Sequence, residues 1–303
     1  MRSRIGSLVV FVMAVVVFSS PAIAQIYYPD GKPSDAQKAA AAAQASKLTY
    51  DPHDLSGIWR GAGGGPRDPN APKPTDPRIG DAFPSPLLGS APPPPLTPAG
   101  QKVFDANKPS AAEAWQARRV APAVGNDPLG NCDPLGYPRS LGRGPVEFIQ
   151  TPTKILQIFD GVGEGMRYRE ILLDGRTIPP DLDPRWYGWN VGHWEGNNLI
   201  VDSTNYDDRA WLDGNGWPHS EDMKLHEVYS HPDLMTLEVT MTLTDPAMYT
   251  KPWVGNKQTF KLVLPKGSTI LYEEYCVPSE EQSFDYGVRN PAGGDLEHSR
   301  PIK

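Results

Sequence analysis

Basic charge is scarce. The 303 residues carry 29 Lys and Arg against 36 Asp and Glu, a formal charge of −7 with six neutral histidines. No concentrated basic surface is written in the chain, which argues against a nucleic-acid partner, because phosphate-backbone binding needs one. Nucleotide and serine-nucleophile signatures are missing too. There is no P-loop, no dinucleotide G-x-G-x-x-G and no G-x-S-x-G elbow, and Gly61 to Gly65 is followed by no helical pattern, so it reads as a flexible turn. A composition of 39% hydrophobic and 21% charged residues excludes collagen, coiled coil and a multi-span membrane protein. Cysteines number two, Cys132 and Cys276, without a C-x-x-C spacing or a neighbouring histidine to make a metal or redox centre.

What the chain does have begins with an export signal. Arg2 and Arg4 make a positive start, Leu8 to Phe18 is an uncharged apolar run, and Ala22-Ile23-Ala24 precedes Gln25 as an A-x-A cleavage site. Residues 1–24 are therefore expected to be a signal peptide. The apolar run is too short to span a bilayer, so no membrane insertion is expected after cleavage. Removing it takes away Arg2 and Arg4 and leaves 27 basic and 36 acidic side chains, a net −9. The expected location is periplasmic or secreted. An oxidising compartment makes Cys132 and Cys276 a candidate disulfide, closing a loop that could restrict the unfolded chain by up to about 5 kcal/mol.

Proline and glycine are abundant, 34 and 29 respectively, and their placement organises the rest. Residues 25–53 form an N-terminal segment in which Ser34 to Leu48 has helix propensity but few large apolar side chains, a frayed surface helix. Residues 54–303 read as a single β domain containing a Pro-rich insertion, residues 66–98. Its 12 prolines in 33 residues cannot feed a ladder or a helix, so it is an irregular covering arm. From Pro145 onward, short strands alternate with turns. Val146 to Gln150 and Lys154 to Phe159 flank one turn, and Tyr168 to Leu173 stands before Asp174-Gly175. Trp189 to Trp194 meets Leu199 to Ser203, Lys224 to Ser230 meets Leu234 to Leu243, and Thr259 to Leu264 meets Thr269 to Tyr275. With a strand at Trp59 this makes about ten, an antiparallel meander expected to close as a barrel, with a β-sandwich as the alternative.

Gly57-Ile58-Trp59 resembles the G-x-W opening of lipocalin-like barrels. Asp54 to Trp59, Cys132 to Arg139, Gly192 to Gly196 and the run from Asp207-Asp208-Arg209 to Pro218-His219-Ser220-Glu221 resemble a widespread group of exported bacterial proteins of unknown function. The resemblance covers nearly all of the mature chain. It implies an exported single domain of lipocalin-like (calycin-type) barrel character and carries no mechanism.

Hairpin arithmetic points to a candidate site. With Gly196-Asn197 as the tight turn, Trp194 faces Leu199, His193 faces Ile200 and Val191 faces Asp202. His193 and Asp202 then lie diagonally on one sheet face, within reach of an imidazole oriented by a carboxylate, the pairing that acid–base chemistry uses. A structural hydrogen bond across an exposed face is the plainer alternative. Ser203 to Asp222 is too long for an ordinary connection and holds Tyr206, Arg209, Trp211, Trp217, His219 and Glu221. His193, Asp202, Arg209, His219 and Glu221 are the candidate catalytic residues, with Trp189, Trp194, Tyr206, Trp211 and Trp217 as substrate-binding walls. Equally, the loop could cap one barrel end. His193, His219 and Glu221, with His226 as a possible fourth, could hold one divalent metal ion, although no H-E-x-x-H spacing is present.

In the next hairpin, a turn at Pro232-Asp233 would set Glu227 opposite Glu238. That is either a paired-carboxylate site or two solvated side chains on the outer face, the latter fitting the apolar Val228, Leu237 and Val239 behind. The functional expectation is an exported enzyme, a lyase, isomerase or hydrolase without cofactor, acting on a small aromatic-bearing or polyhydroxylated molecule. Its alternatives are a non-catalytic periplasmic small-molecule-binding protein and a His/carboxylate metal-dependent enzyme. The expected partner is a small-molecule ligand, and oligomeric state stays open.

Overall fold

Period-two alternation of buried and more exposed side chains runs through most of the longer strands. In the computed structural model the described residues are 46–61, 93–109, 124–142, 144–159, 167–179 and 181–264, with a few isolated positions before 46 and Val120. The signal peptide, most of the Ser34 to Leu48 helix, residues 66–92 of the Pro-rich arm, the Thr269 to Tyr275 strand and Cys276 lie outside them. Two units are distinguished, Met1–Ala42 and Ala43–Lys303, and every strand belongs to the second.

Among the described residues ten strands follow in chain order: β1 Gly57–Gly61, β2 Val146–Gln150, β3 Lys154–Phe159, β4 Arg167–Leu172, β5 Trp189–Glu195, β6 Asn198–Thr204, β7 Lys224–Asp233, β8 Thr236–Thr244, β9 Trp253–Val254 and β10 Gln258–Leu264. The sheet runs β10-β1-β2-β3-β4-β5-β6-β7-β8, and β10 also pairs with β8, so these nine strands close on themselves. Closure rests on Trp59 opposite Leu262 and Phe260 opposite Leu237. β9 takes the stretch of β8 that β10 leaves, at Thr242 and Leu243. The barrel expectation is met and the sandwich alternative is not.

The expected all-antiparallel order has one correction. β4 and β5 are parallel, joined by Ile171 with Asn190 and Leu172 with Val191. A parallel pair needs a long return path, and residues 173–188 supply it.

The β5–β6 hairpin has the expected register, Trp194 with Leu199 and Val191 with Asp202. The β7–β8 hairpin does not. Asp233 pairs with Thr236, the register shifts between Ser230 and Asp233, and Glu227 lies opposite Met241 while Glu238 lies opposite Ser230. Moving the turn from Pro232-Asp233 to Leu234-Met235 and adding an irregularity shifts the pairing by an odd number, which turns β7 over. Leu225, Glu227, Tyr229 and His231 therefore point inward. Glu238 stays at the outside, ion-paired to Lys257 at 2.9 Å.

Inside, Val146, Phe148, Ile155, Leu199, Val201, Val239, Met241 and Leu243 are almost fully buried. Helix α1, Pro98–Ala106, packs on the loop after β8. Thr97 caps it by accepting from the Gly100 amide at 3.0 Å, and Pro98 occupies the first helical turn, where a missing amide proton costs nothing. The last proline of the expected irregular arm thus starts a helix.

Candidate functional site

The expected acid–base pair is not assembled. His193 lies exposed on the outer face and its Nε2 is 3.0 Å from Glu195 Oε1, while Asp202 Oδ1 is 2.8 Å from His226 Nδ1. Direct cross-strand pairing of Asp202 with His226 takes the place of the diagonal contact with His193. Arg209 is bonded to Asp207 at 2.5 Å and its guanidinium lies 4.5 Å from the centre of the Trp186 ring. Glu221 is exposed.

His219 is buried, with Nδ1 3.2 Å from the Ser220 carbonyl, and burial lowers its pKa. Among the described residues no three His, Cys, Asp or Glu side chains are grouped to hold a metal ion.

The five aromatic walls serve different places. Trp217 is buried, stacked on Phe104 at 4.5 Å and edge-on to Trp253 at 5.5 Å. Trp211 is buried beneath the Arg139 guanidinium, which is itself clamped by Asp127 through bonds of 2.8 and 2.6 Å. Tyr206 is fully buried and edge-on to His219. Trp189 lies half-buried under Arg185, and Trp194 half-buried against the His53 ring at 4.6 Å. The long loop from Asn205 to Met223 folds as a plug: Asp213 Oδ1 turns it by accepting from the amides of Asn215 and Trp217, and Asp245 holds it by accepting from the Ser220 amide and hydroxyl.

A buried polar cluster crosses the barrel interior. Arg169 on β4 and Glu227 on β7 form an ion pair with neither side chain exposed. Arg169 also donates to Asn190 Oδ1 at 2.8 Å, Ser203 Oγ at 2.8 Å and Gln157 Oε1 at 3.2 Å, and lies over the Tyr137 ring at 3.9 Å. Glu227 Oε1 accepts from the Tyr137 hydroxyl at 2.5 Å and the Tyr229 hydroxyl at 2.8 Å. Burial first, and then the Glu227 charge, push both tyrosine pKa values up, so both hydroxyls stay protonated. Every ligand of the pair is supplied by the barrel wall or the segment before β2. The cluster is fully buried and its hydrogen bonds tie β3, β4, β5, β6 and β7 together.

At the end of the barrel where β1, β10 and the β7–β8 turn meet, a cleft of about 190 Å³ is lined by Asp51, Asp54, Ser56, Trp59, His231 and Leu262, among others. That is room for several waters or a ligand of a few heavy atoms. His231 is 5% exposed, and its ring stands edge-on to Tyr50 and Trp59 at 5.3 and 5.4 Å. Nδ1 bonds the Asp51 carbonyl at 3.1 Å, while Nε2 is buried with no partner. A buried polar nitrogen left without a bond costs about 1–3 kcal/mol. The sequence pattern ends this strand at Ser230, whereas the strand continues through His231. The signal that would have found it is parity, since Leu225, Tyr229 and His231 share one face of β7.

Comparison with protein-family models, curated proteins and solved structures finds no match to the chain. What the fold defines is therefore a class alone: a mainly β, nine-stranded closed barrel compatible with the lipocalin-like type, with a polar-filled interior and a small cleft at one end.

Proposed function

We propose that this is an exported barrel that binds a small molecule reversibly in the Trp59–His231 cleft, without turnover. The observation that carries the reading is a cleft lined by His231, whose buried Nε2 has no bonding partner, together with the aromatic face of Trp59. Small polar and aromatic compounds are to be screened by thermal stability and by intrinsic tryptophan fluorescence. Binders are expected to raise the Tm of the natural protein and not that of His231→Phe. A library with no binder, or binders indifferent to His231, overturns the reading. The rival, an acid–base enzyme on a small aromatic-bearing or polyhydroxylated substrate, requires turnover that His193→Ala abolishes while affinity persists. Stoichiometric metal in protein purified without chelators would instead favour the metal-dependent alternative.

Export and the Cys132–Cys276 bridge belong to the same proposal. Its support is the charged start, apolar run and A-x-A site of residues 1–24, and the absence of a free cysteine among the described residues. Thiol titration of denatured, unreduced protein is expected to find no free thiol. Two free thiols would remove the bridge.

A further inference from the structure

We infer that residues 47–56 are a hinged strap latched across one end of the barrel, and that the Trp59–His231 cleft exists only while the latch is closed. The role of the strap rests on the reading of that cleft as a binding site; its movement does not. The strap enters β1 at the end of the barrel where β2 stops at Gln150, the β5–β6 turn lies at Gly196 and β7 reaches His231. The loop from Asn205 to Met223 joins β6 to β7 at the opposite end. Six of the ten residues that line the cleft, from Lys47 to Ser56, belong to the strap, and the other four, Trp59, His231, Leu234 and Leu262, to the barrel. Lifting the strap removes one wall, so closing the latch and forming the cleft are a single equilibrium.

The strap is fastened differently from the wall beneath it. Strands are joined by main-chain ladders, but among the described residues no main-chain hydrogen bond joins residues 47–55 to the barrel. Side chains do the fastening. The Tyr50 hydroxyl donates to the His231 carbonyl at 2.6 Å, and His231 Nδ1 donates to the Asp51 carbonyl at 3.1 Å. His53 Nε2 donates to the Gly196 carbonyl at 2.7 Å. Gln150 grips the chain twice, donating to the His53 carbonyl at 2.6 Å and accepting from the Leu55 amide at 3.1 Å. Leu48 and Leu55 pack against the core, while between them Thr49, Tyr50, Asp51 and His53 are exposed and Pro52 and Asp54 half-buried. A segment with few buried apolar side chains and no ladder opens at a lower free energy than the whole domain. Its hinge is Gly57, at the step from strap to strand, where a φ of 138° lies in the region that favours glycine.

Trp59 reports the opening from the barrel side. Its indole Nε1 donates to the Leu55 carbonyl at 2.9 Å and the residue is 1% exposed, so this proton meets water only when the strap lifts or the barrel unfolds. The experiment is hydrogen exchange of that proton in the natural protein, followed by NMR across low urea concentrations, beside the amide of Val201, which lies in β6 between two ladders. Protection at Trp59 Nε1 is expected to be at least about tenfold below that at Val201, and nearly flat in urea where that of Val201 falls steeply. Tyr50→Phe removes one latch bond and no bulk, and is expected to speed Trp59 exchange about fivefold, while Gln150→Ala removes two bonds and is expected to speed it about twentyfold. Equal protection with equal urea slopes would show that the strap opens only with the barrel, and overturns the inference. Fast, urea-independent exchange that neither variant changes also overturns it, because the indole would then be reached without unlatching. No ligand enters this test: a strap that fails it leaves the binding reading standing, and a library without binders leaves the strap standing.

Discussion

At the residue scale the buried Arg169–Glu227 pair has the largest consequence. Removing one partner leaves the other charge dry and uncompensated, so Glu227→Gln or Arg169→Met is expected to cost about 3–5 kcal/mol in urea unfolding. The double replacement Arg169→Met with Glu227→Gln is expected to cost less than the two single changes together, because the unpaired charge is gone. Additive losses would show that the two groups act independently. His219 gives a pH dependence of known sign. Burial lowers its folded-state pKa below the ordinary 6.5, so the unfolded chain takes up a proton first as pH falls. Its contribution to stability is present above about pH 6.5 and is lost progressively on acidification toward the folded-state value. His219→Asn is expected to flatten the fall in unfolding free energy between pH 7 and pH 5, and an unchanged slope would remove His219 as its source.

Residue-level reading of the site worked unevenly for a physical reason. Trp194 with Leu199 was legible because a two-residue turn fixes parity, and Gly196-Asn197 marks that turn plainly. Glu227 and His231 were not. Their inward position runs against the rule that charged and polar side chains face water, and a pattern reading assigns Val228 to the core instead. The cost of burying Glu227 is met by Arg169, 58 residues earlier in the chain, and no local pattern announces a partner at that distance. His193 and Asp202 were placed on the correct face, but each found a nearer partner, in Glu195 and His226.

At the scale of elements, helix α1 depends on one missing side chain. A Cβ built on Gly100 would stand 2.2 Å from the Met248 carbonyl oxygen, a backbone atom that cannot swing aside. In a free helix Gly→Ala stabilises by about 1 kcal/mol. Here Gly100→Ala is expected to do the reverse: a lower Tm, with the Phe104–Trp217 stack disturbed and the tryptophan emission shifted. A stabilised Gly100→Ala protein would show that α1 docks more loosely than the contact implies. The strand elements β2 and β3 were legible nearly to the residue because each alternates, and β5 and β6 because the Gly196-Asn197 turn marks where they meet. The helix was not, since Pro98 reads as the end of a proline run as readily as the first turn of a helix.

For the whole molecule, the barrel wall is uneven. The parallel β4–β5 seam has two paired positions, whereas β5–β6 has seven and β6–β7 six. Fewer ladder bonds mean a lower local opening free energy. Hydrogen exchange is expected to be faster for those amides of β5 that face β4 than for those that face β6. Equal protection on the two sides would mean that the interior cluster, through Arg169 and Asn190, clamps the seam as firmly as a full ladder.

The pairing that closes the barrel also has a temporal side. β1, at residues 57–61, is completed by β10, at residues 258–264, so its second edge waits on a strand made some two hundred residues later. Until that strand arrives, β1 and the start of β8 both present unpaired edges of the kind that recruit foreign strands. A chain interrupted anywhere before Gln258 is thus not a shorter version of the protein but one with two sticky margins. The last strand serves as the point of commitment, the one that takes both margins out of reach at once.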